Sequence, residues 1–227
     1  MCNDISFRLD YFSIGDSWKN CAVLIRKLYP NVPFETGNLT EEEWNIINVD
    51  NISDSLSLPI SDITKRKCIK FGNVPFGGQS ATIYVSMFFL FIFVESDNKE
   101  IKLETNEKDD AIVKCLVEAN DINIMNVSCN VNCGKVEAIA ELKEELDGDA
   151  FPDINDNDIQ NSSYVDSRIY DNCLVSVNRL LRKPKTGDKY EMMVNVHAEQ
   201  IGLTDNILET FGTLLDYSIK DVTRVLK

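Results

Sequence analysis

The chain has 227 residues, 44% of them hydrophobic, and its formal net charge at pH 7 is −14. This hydrophobic fraction is ordinary for a globular protein and excludes wholesale disorder, so we expect a single domain over residues 1–227. The excess of acidic side chains argues against nucleic acid and against membranes as partners, because both require a basic surface.

Residues 1–78 predict a helical N-terminal part. The opening MCNDISFRLDYF lacks the basic segment and apolar run of a secretory signal, which predicts an intracellular protein. Residues 16–28 repeat apolar side chains at helical spacing, beginning with Trp18. A capping box at Thr40 opens a second, short helix that presents Trp44 to the core.

Residues 48–78 are interrupted by Ser, Asp, Pro and Gly, and they predict a long connection with a helical turn at 61–67. We expect this connection to act as an arm that is exchanged between neighbouring copies. Residues 71–80 form the one glycine-rich segment of the sequence. They lack the phosphate-binding fingerprints, so they predict a turn.

The run ATIYVSMFFLFIFV at residues 81–94 contains no charged residue, and we take it as the central element of the predicted core. Such a run predicts one strand buried on both faces, and the alternation in residues 101–105 predicts its partner in a β-hairpin. A buried helix is the alternative, because periodicity does not separate the two in a short apolar run. Residues 79–227 are expected to form the core.

The next segments alternate between helical and strand patterns. Residues 109–119 predict a helix, residues 122–131 a half-buried strand, and residues 136–146 a further helix that ends before Gly148. An acidic, irregular loop follows at residues 147–163.

Residues 173–181 and 190–198 alternate on either side of a turn that contains Pro and Gly, and they predict a second hairpin. From Thr204 to Leu226 apolar side chains recur at helical spacing, which predicts a long C-terminal helix. Together these elements predict an α+β fold in which antiparallel hairpins pack with several amphipathic helices.

No motif in the sequence indicates an enzyme. Residues 141–158 hold the richest carboxylate cluster, and residues 153–157 have the ligand spacing that opens an EF-hand, but Asp158 stands where that loop requires Gly. A solvated acidic loop is therefore favoured over a calcium site. His197 is the one histidine, which favours a structural role over a Cys-His nucleophile pair. We predict no catalytic residue, no cofactor and no metal.

Seven cysteines are many for an intracellular chain, and their spacing matches no zinc module. One interpretation is reduced thiols that pack as small apolar side chains. The other uses the odd count, which leaves one cysteine unpaired in any monomer. Cys2 is then the candidate for a disulfide to another copy, formed after assembly.

The whole-chain profile is acidic, intracellular and cysteine-rich, with apolar helical faces towards both ends of the sequence. In this profile the chain resembles the polyhedrins, the occlusion-body matrix proteins of insect viruses, and among them a nudivirus type. The resemblance implies a structural protein that assembles with copies of itself into a lattice in the nucleus or cytoplasm of the infected cell. Such a lattice encases virions, uses disulfides and exchanged segments, and dissolves at alkaline pH.

Two other functions stay open from the sequence. An acidic binding module would sequester a basic host protein through residues 141–158, with salt-sensitive affinity. A hydrolase would show a cleft in which perturbed groups converge on His197 or on the acidic residues.

For an assembly, we expect contacts between copies through large apolar side chains, namely Trp18, Trp44, Phe71, Phe76, Phe211 and Leu215. Asp and Glu are already ionised at neutral pH, so dissolution in alkali has to come from groups that titrate higher. The candidates for this pH switch are Tyr164, Tyr170, Tyr190, Tyr217, Lys183, Lys185 and Lys189.

Overall fold

The structure is a computed structural model, and it describes residues 2–15, 17–38, 67–95, 103–138, 161–182, 189–202, 204 and 206–225. The helices of this part are α1 (Ser17–Leu28), α2 (Glu107–Val117) and α3 (Ile207–Val225). Its strands are β1 (Cys2–Ser13), β2 (Phe34–Asn38), β3 (Lys67–Phe76), β4 (Gln79–Val85), β5 (Phe89–Glu95), β6 (Ile122–Ala138), β7 (Asn161–Tyr170), β8 (Cys173–Arg182) and β9 (Lys189–Gln200).

The strands form one antiparallel sheet in the order β2-β3-β4-β5-β1-β6-β9-β8-β7. The predicted α+β fold is therefore wrong, because the described part of the chain is β-rich and carries three helices. Residues 67–76 and 161–170 were not predicted as strands, and they form β3 and β7 by pairing with β4 and β8. Strand formation depends on such tertiary context more than helix formation does.

The chain divides into two compact units. The first comprises residues 1–7, 95–101 and 126–227, and the second comprises residues 8–94 and 102–125. Each is described by itself below.

In the second unit, α1 and α2 pack against each other, and Cys21 Sγ donates to the main-chain oxygen of Ile112 at 3.6 Å. Helix α2 begins at a capping box in which Asn106 and Asp109 each accept the other's main-chain N–H. Asp109 Oδ2 also accepts from the main-chain N–H of Gly77 at 3.2 Å. The start of α2 therefore fixes the β3–β4 turn, where Gly77 has a φ of 58°.

Residues 81–94 are two strands and not one, because the chain turns between β4 and β5. The hydroxyl of Ser86 accepts from the main-chain N–H groups of Phe88 and Phe89, at 3.1 and 3.2 Å. Tyr11 secures the same turn by donating from its hydroxyl to the main-chain oxygen of Ser86 at 2.6 Å. The hydroxyl of this serine thus supplies a hydrogen-bond acceptor to the main-chain N–H groups inside the turn, which stabilises the turn within an otherwise apolar run.

Two neighbouring predictions change as a result. Residues 103–105 precede α2 outside any strand, so the predicted hairpin with residues 101–105 is wrong, and residues 101–102 lie outside the described part. Residues 67–76 form β3, which pairs with β2 and β4, in place of the predicted connection. The remaining residues of the predicted exchanged arm, 48–66, and the short helix predicted at Thr40 lie outside the described part.

In the first unit, β6, β9, β8 and β7 are consecutive antiparallel neighbours, and α3 packs on one face of them. The rings of Phe7 and Phe211 lie 5.1 Å apart between β1 and α3. The buried side chains of α3 recur at helical spacing, as the sequence predicted, and the helix runs over Ile207–Val225. The predicted hairpin of residues 173–181 and 190–198 is confirmed as β8 and β9.

The predicted helix at residues 136–146 is wrong over its first turn. Val136 to Ala138 continue β6 and pair with β9, opposite Glu191 to Lys189, in a ladder that begins at Ser128. An apolar spacing of three residues looks helical by itself, but the paired strand satisfies each main-chain group across the ladder. Residues 139–146 lie outside the described part. Helices α1 and α2 are confirmed, with bounds shifted by up to two residues.

Candidate functional site

Among the described residues, the last strand in the sheet order, β7, has one edge without a neighbouring strand. Among the described strands it pairs with β8 alone, from Asn161 opposite Arg182 to Tyr170 opposite Cys173. We call residues 165–169 the β7 edge. An edge strand presents a row of main-chain donors and acceptors that another strand can pair with.

The side chains of the β7 edge divide into an apolar face and a charged face, because successive residues point to opposite sides of a sheet. Val165 and Ile169 share one face, and their side chains are 59% and 67% exposed. Asp166 and Arg168 share the other face, which is the one towards α3. Asp166 Oδ2 lies 3.4 Å from Arg168 Nε and 3.3 Å from Arg224 Nη2 of α3. The edge therefore carries both charges and an exposed apolar pair.

Two tyrosines and a buried carboxylate lie next to each other at the end of β7. The rings of Tyr170 and Tyr217 stack at 5.0 Å with an interplanar angle of 11°. Tyr170 donates its hydroxyl to Asp221 Oδ1 at 3.0 Å, and Arg224 Nε donates to the same oxygen at 3.0 Å. Asp221 is fully buried on α3, and Tyr217 donates its hydroxyl to Asp171. Both phenols therefore donate a hydrogen bond to a carboxylate.

These contacts raise the pKa of both phenols. Burial, followed by the hydrogen bond to Asp221, raises the pKa of Tyr170 above its ordinary value. The hydrogen bond to Asp171, followed by burial, raises the pKa of Tyr217. Both phenols therefore stay protonated near neutral pH, and their hydrogen bonds join the end of β7 to α3.

A polar row crosses the sheet face opposite α3 in the first unit. Asn130, His197, Ser176 and Ser167 are successive cross-strand partners on β6, β9, β8 and β7. His197 Nδ1 lies 3.1 Å from Asn130 Oδ1, and Nε2 lies 3.7 Å from Glu199 Oε2. The hydroxyls of the two serines lie 2.9 Å apart. Both ring nitrogens of His197 are thus engaged, which does not favour a base that activates a serine.

In the second unit an open pocket of about 520 Å³ lies between α1 and α2, lined by Ser17, Asn20, Lys114, Cys115, Glu118, Ala119, Asn120 and Asp121. Burial, followed by the neighbouring Glu118, raises the pKa of the Cys115 thiol. The thiol therefore stays protonated and is a weak nucleophile. Ser17 donates its main-chain N–H to Asp121 at 3.2 Å, so these groups are engaged in starting α1.

Metal and membrane sites find no support in the described residues. No group of three or more His, Cys, Asp or Glu side chains there is arranged to hold a metal ion. No helix in that part of the chain is long and apolar enough to cross a membrane. The acidic residues 141–158 of the predicted loop lie outside the description.

The residues predicted to make contacts between copies lie in the interior of one copy. Exposure is 7% or less for all of those described, namely Trp18, Phe71, Phe76, Phe211 and Leu215. Trp44 lies outside the described residues. These side chains supply the hydrophobic core, whereas the apolar side chains of Val165 and Ile169 on the β7 edge are exposed and accessible to a partner.

Of the residues predicted to form a pH switch, the structure brings Tyr170 and Tyr217 together and gives both a carboxylate partner. The side chains of the other candidates lie outside the described part: Tyr164, Tyr190, Lys183, Lys185 and Lys189. The structure therefore places two of the predicted residues as stacked phenols beside the β7 edge, and their role in a pH switch stays a prediction.

Five cysteines carry reduced thiols, namely Cys21, Cys68, Cys115, Cys129 and Cys173, and four of them are buried. They pack as small apolar groups, as one interpretation of the sequence predicted. Cys133 is in a disulfide. Because the structure holds a single chain, the partner of Cys133 belongs to the same chain. Cys2 lies in β1, and its side chain is outside the described part.

A disulfide between copies through Cys2 stays a prediction. Under non-reducing denaturing electrophoresis, native material is expected to run in part as a dimer that collapses on adding reductant. Cys2→Ser should remove the dimer band and leave the protein folded. A monomer band under both conditions would contradict it.

Comparison with known proteins does not assign the chain to a family. No family model matches the chain. No curated protein matches it either.

Proposed function

We propose that the chain is a structural protein that assembles with copies of itself into an intracellular lattice, as the matrix of a viral occlusion body does. The observation that carries the proposal is the pair of strands that end the sheet order, β2 and β7, each with one neighbour among the described strands. Both carry exposed apolar side chains. Open edges of this kind are ready templates for strand pairing between chains.

The β2 end has its own apolar group. Phe34 is 42% exposed, and the guanidinium of Arg26 covers its ring at 4.1 Å from the centroid. The strand pairs on its other side with β3, from Phe34 opposite Phe71. Two different attachment strands on one copy allow an assembly to extend, because pairing at one leaves the other open.

The lattice is proposed to form in the nucleus or cytoplasm of an infected cell, to encase virions and to dissolve in alkali. The charge of −14 supports the last part, because every group that ionises above pH 7 makes the chain more negative. Repulsion between copies then grows with pH. Among the described residues, His197, Cys115 and the two stacked tyrosines are better explained by the contacts that they make within the fold than by a catalytic role.

The test combines solution and cellular measurements. In sedimentation velocity, the purified protein is expected to shift to larger species as its concentration rises, and cells that express it should contain ordered particles in thin-section electron microscopy. A monodisperse monomer at every concentration, without particles in cells, would overturn the proposal. If such a monomer bound a basic protein in a salt-sensitive way, the acidic binding module would replace it.

A further inference from the structure

We infer that the β7 edge pairs with the β7 edge of a second copy, antiparallel and about a two-fold axis at Ser167. This inference rests on the proposed self-assembly and names the surface and register that perform it. Three features carry it, namely the main-chain groups that face away from β8, the order of charges along the strand and the exposed apolar pair.

The main chain of β7 presents its outward groups at the right residues. A two-residue turn at Asp171 and Asn172 joins β7 to β8, so Tyr170 and Cys173 form the closing pair of the hairpin. Hydrogen-bonded pairs alternate along an antiparallel ladder. The N–H and C=O groups of residues 170, 168 and 166 therefore point to β8. Those of residues 165, 167 and 169 point outward, away from β8.

The close approach of Ser167 to Ser176 agrees with this alternation. Their hydroxyls lie 2.9 Å apart, and side chains approach most closely in pairs that do not exchange main-chain hydrogen bonds. Ser167 thus keeps its main-chain donor and acceptor for a partner outside the chain. A two-fold axis at this residue makes it a hydrogen-bonded pair with its own copy.

The side chains of the β7 edge are self-complementary about the same axis. Antiparallel pairing centred on Ser167 sets Asp166 opposite Arg168 of the second copy, and Arg168 opposite the second Asp166. It also sets Val165 opposite Ile169 of the second copy, twice. Opposite charges and apolar pairs directly across a ladder are the favourable combinations. The contact is the same patch on both copies, as a two-fold interface requires.

Other registers lose this match. An axis at Ile169 would set Arg168 opposite Tyr170 and leave Asp166 without a basic residue across the ladder. A shift by one residue would place inward main-chain groups at the interface, because the pattern has a period of two. The charges therefore specify the register, while their gain in affinity is small because Asp166 already lies near Arg168 and Arg224 within one copy.

The contact is a weak one by size. A strand pair of this length buries less than the roughly 1,200–2,000 Å² of stable specific interfaces, so one pair alone holds two copies only transiently. Weak contacts suit a lattice, since many of them act together and each can be broken by a change in charge.

The test uses two full-length charge variants, R168E and D166K. In either one alone, like charges face each other across the axis, and self-association measured by sedimentation equilibrium is expected to weaken at least about tenfold. Mixed in equal amounts, they restore opposite charges at both positions, and a mixed dimer should return with near-native affinity. The mixture is followed with two fluorophores, one on each variant.

Two further variants test the role of the main chain and control for changes at an unrelated exposed position. S167P removes an outward N–H, which an edge strand tolerates, and it is expected to abolish the pairing without unfolding. V23T removes a comparably exposed apolar side chain from α1, where Val23 is 50% exposed, and should associate as the native chain does. Circular dichroism confirms that each variant is folded.

The outcomes separate this inference from the function on which it rests. Loss of association in each charge variant and its recovery in the mixture support the register. If the native chain assembles and all variants assemble equally, the inference fails and self-assembly stands. If the charge variants fail singly and also when mixed, the register is wrong. If the native chain is monomeric at every concentration, the proposed function itself fails.

Discussion

Phe211→Ala is expected to lower the free energy of unfolding of a single copy by about 3–5 kcal/mol. The ring is fully buried on α3 and contacts Phe7 of β1 with 5.1 Å between centroids. Its removal forfeits the burial of an aromatic side chain and leaves a cavity that the surrounding strands fill only in part. Urea denaturation at low protein concentration, where copies are separate, measures the change.

Phe12→Ala is the matched control, because the same atoms are removed from a side chain that is 41% exposed. We expect it to cost about 1 kcal/mol or less. The comparison also tests the earlier prediction that Phe211 contacts a second copy. In that case Phe211→Ala would leave the dilute monomer as stable as the native chain and weaken assembly alone. Equal stability of the two variants would therefore contradict the buried position.

The long amphipathic elements could be predicted because their own residues specify them. Helix α3 repeats apolar side chains over five turns, and β8 and β9 alternate on both sides of a short turn, so local pattern and tertiary packing agree. The error at residues 81–94 has a different origin. Strand character was recognised, but the turn depends on the hydroxyl of Ser86, which a scan for Gly and Pro does not detect.

Strand β1 carried a signal that the prediction did not use. Ile5, Phe7, Leu9 and Tyr11 alternate with polar residues, and all four are buried. The β7 edge also alternates, with Val165 and Ile169 on one face. Its place at the end of the sheet could not be predicted, because strand order follows from long-range pairing and not from local pattern.

The predicted assembly contacts show why composition alone misplaces a surface. Large apolar residues are the best candidates for an interface by size, but the same property sends Phe71 and Phe76 into the core. The exposed pair on β7 is smaller, and its two residues flank Asp166 and Arg168 along the strand. A charge pattern of opposite signs two residues apart, within an alternating strand, is the signal that would have indicated this edge.

Alkali is expected to dissolve the assembled protein sharply above about pH 9.5, with no clearing between pH 7 and that point. The thiols of Cys21 and Cys129 do not trigger dissolution, because burial holds the pKa of both well above the ordinary value. Asp and Glu are already ionised. Among the described candidates for the pH switch, Tyr170 and Tyr217 both donate hydrogen bonds to carboxylates beside the β7 edge.

The sign of the effect follows from the raised pKa of both phenols. The folded and assembled state holds these protons more tightly than the unfolded chain, so their contribution to stability is fully present below the unfolded value near 10. It is lost as pH rises through the folded value. Each phenol then loses its proton to solvent and faces, as a phenolate, the carboxylate that had accepted its hydrogen bond. Negative charge accumulates beside the β7 edge in both paired copies.

Turbidity and phenolate absorbance, followed together from pH 7 to pH 12, measure this transition. Tyr217→Phe keeps the stacked ring and removes the ionising hydroxyl, so its clearing should move to higher pH. Tyr29→Phe removes a phenol of raised pKa from the second unit, where Tyr29 donates to Pro75, and should clear as the native protein does. Clearing near pH 5, clearing that precedes phenolate absorbance, or turbidity that persists at pH 12 would contradict a tyrosine switch, because neutral and ionised phenols would then hold the copies together equally well.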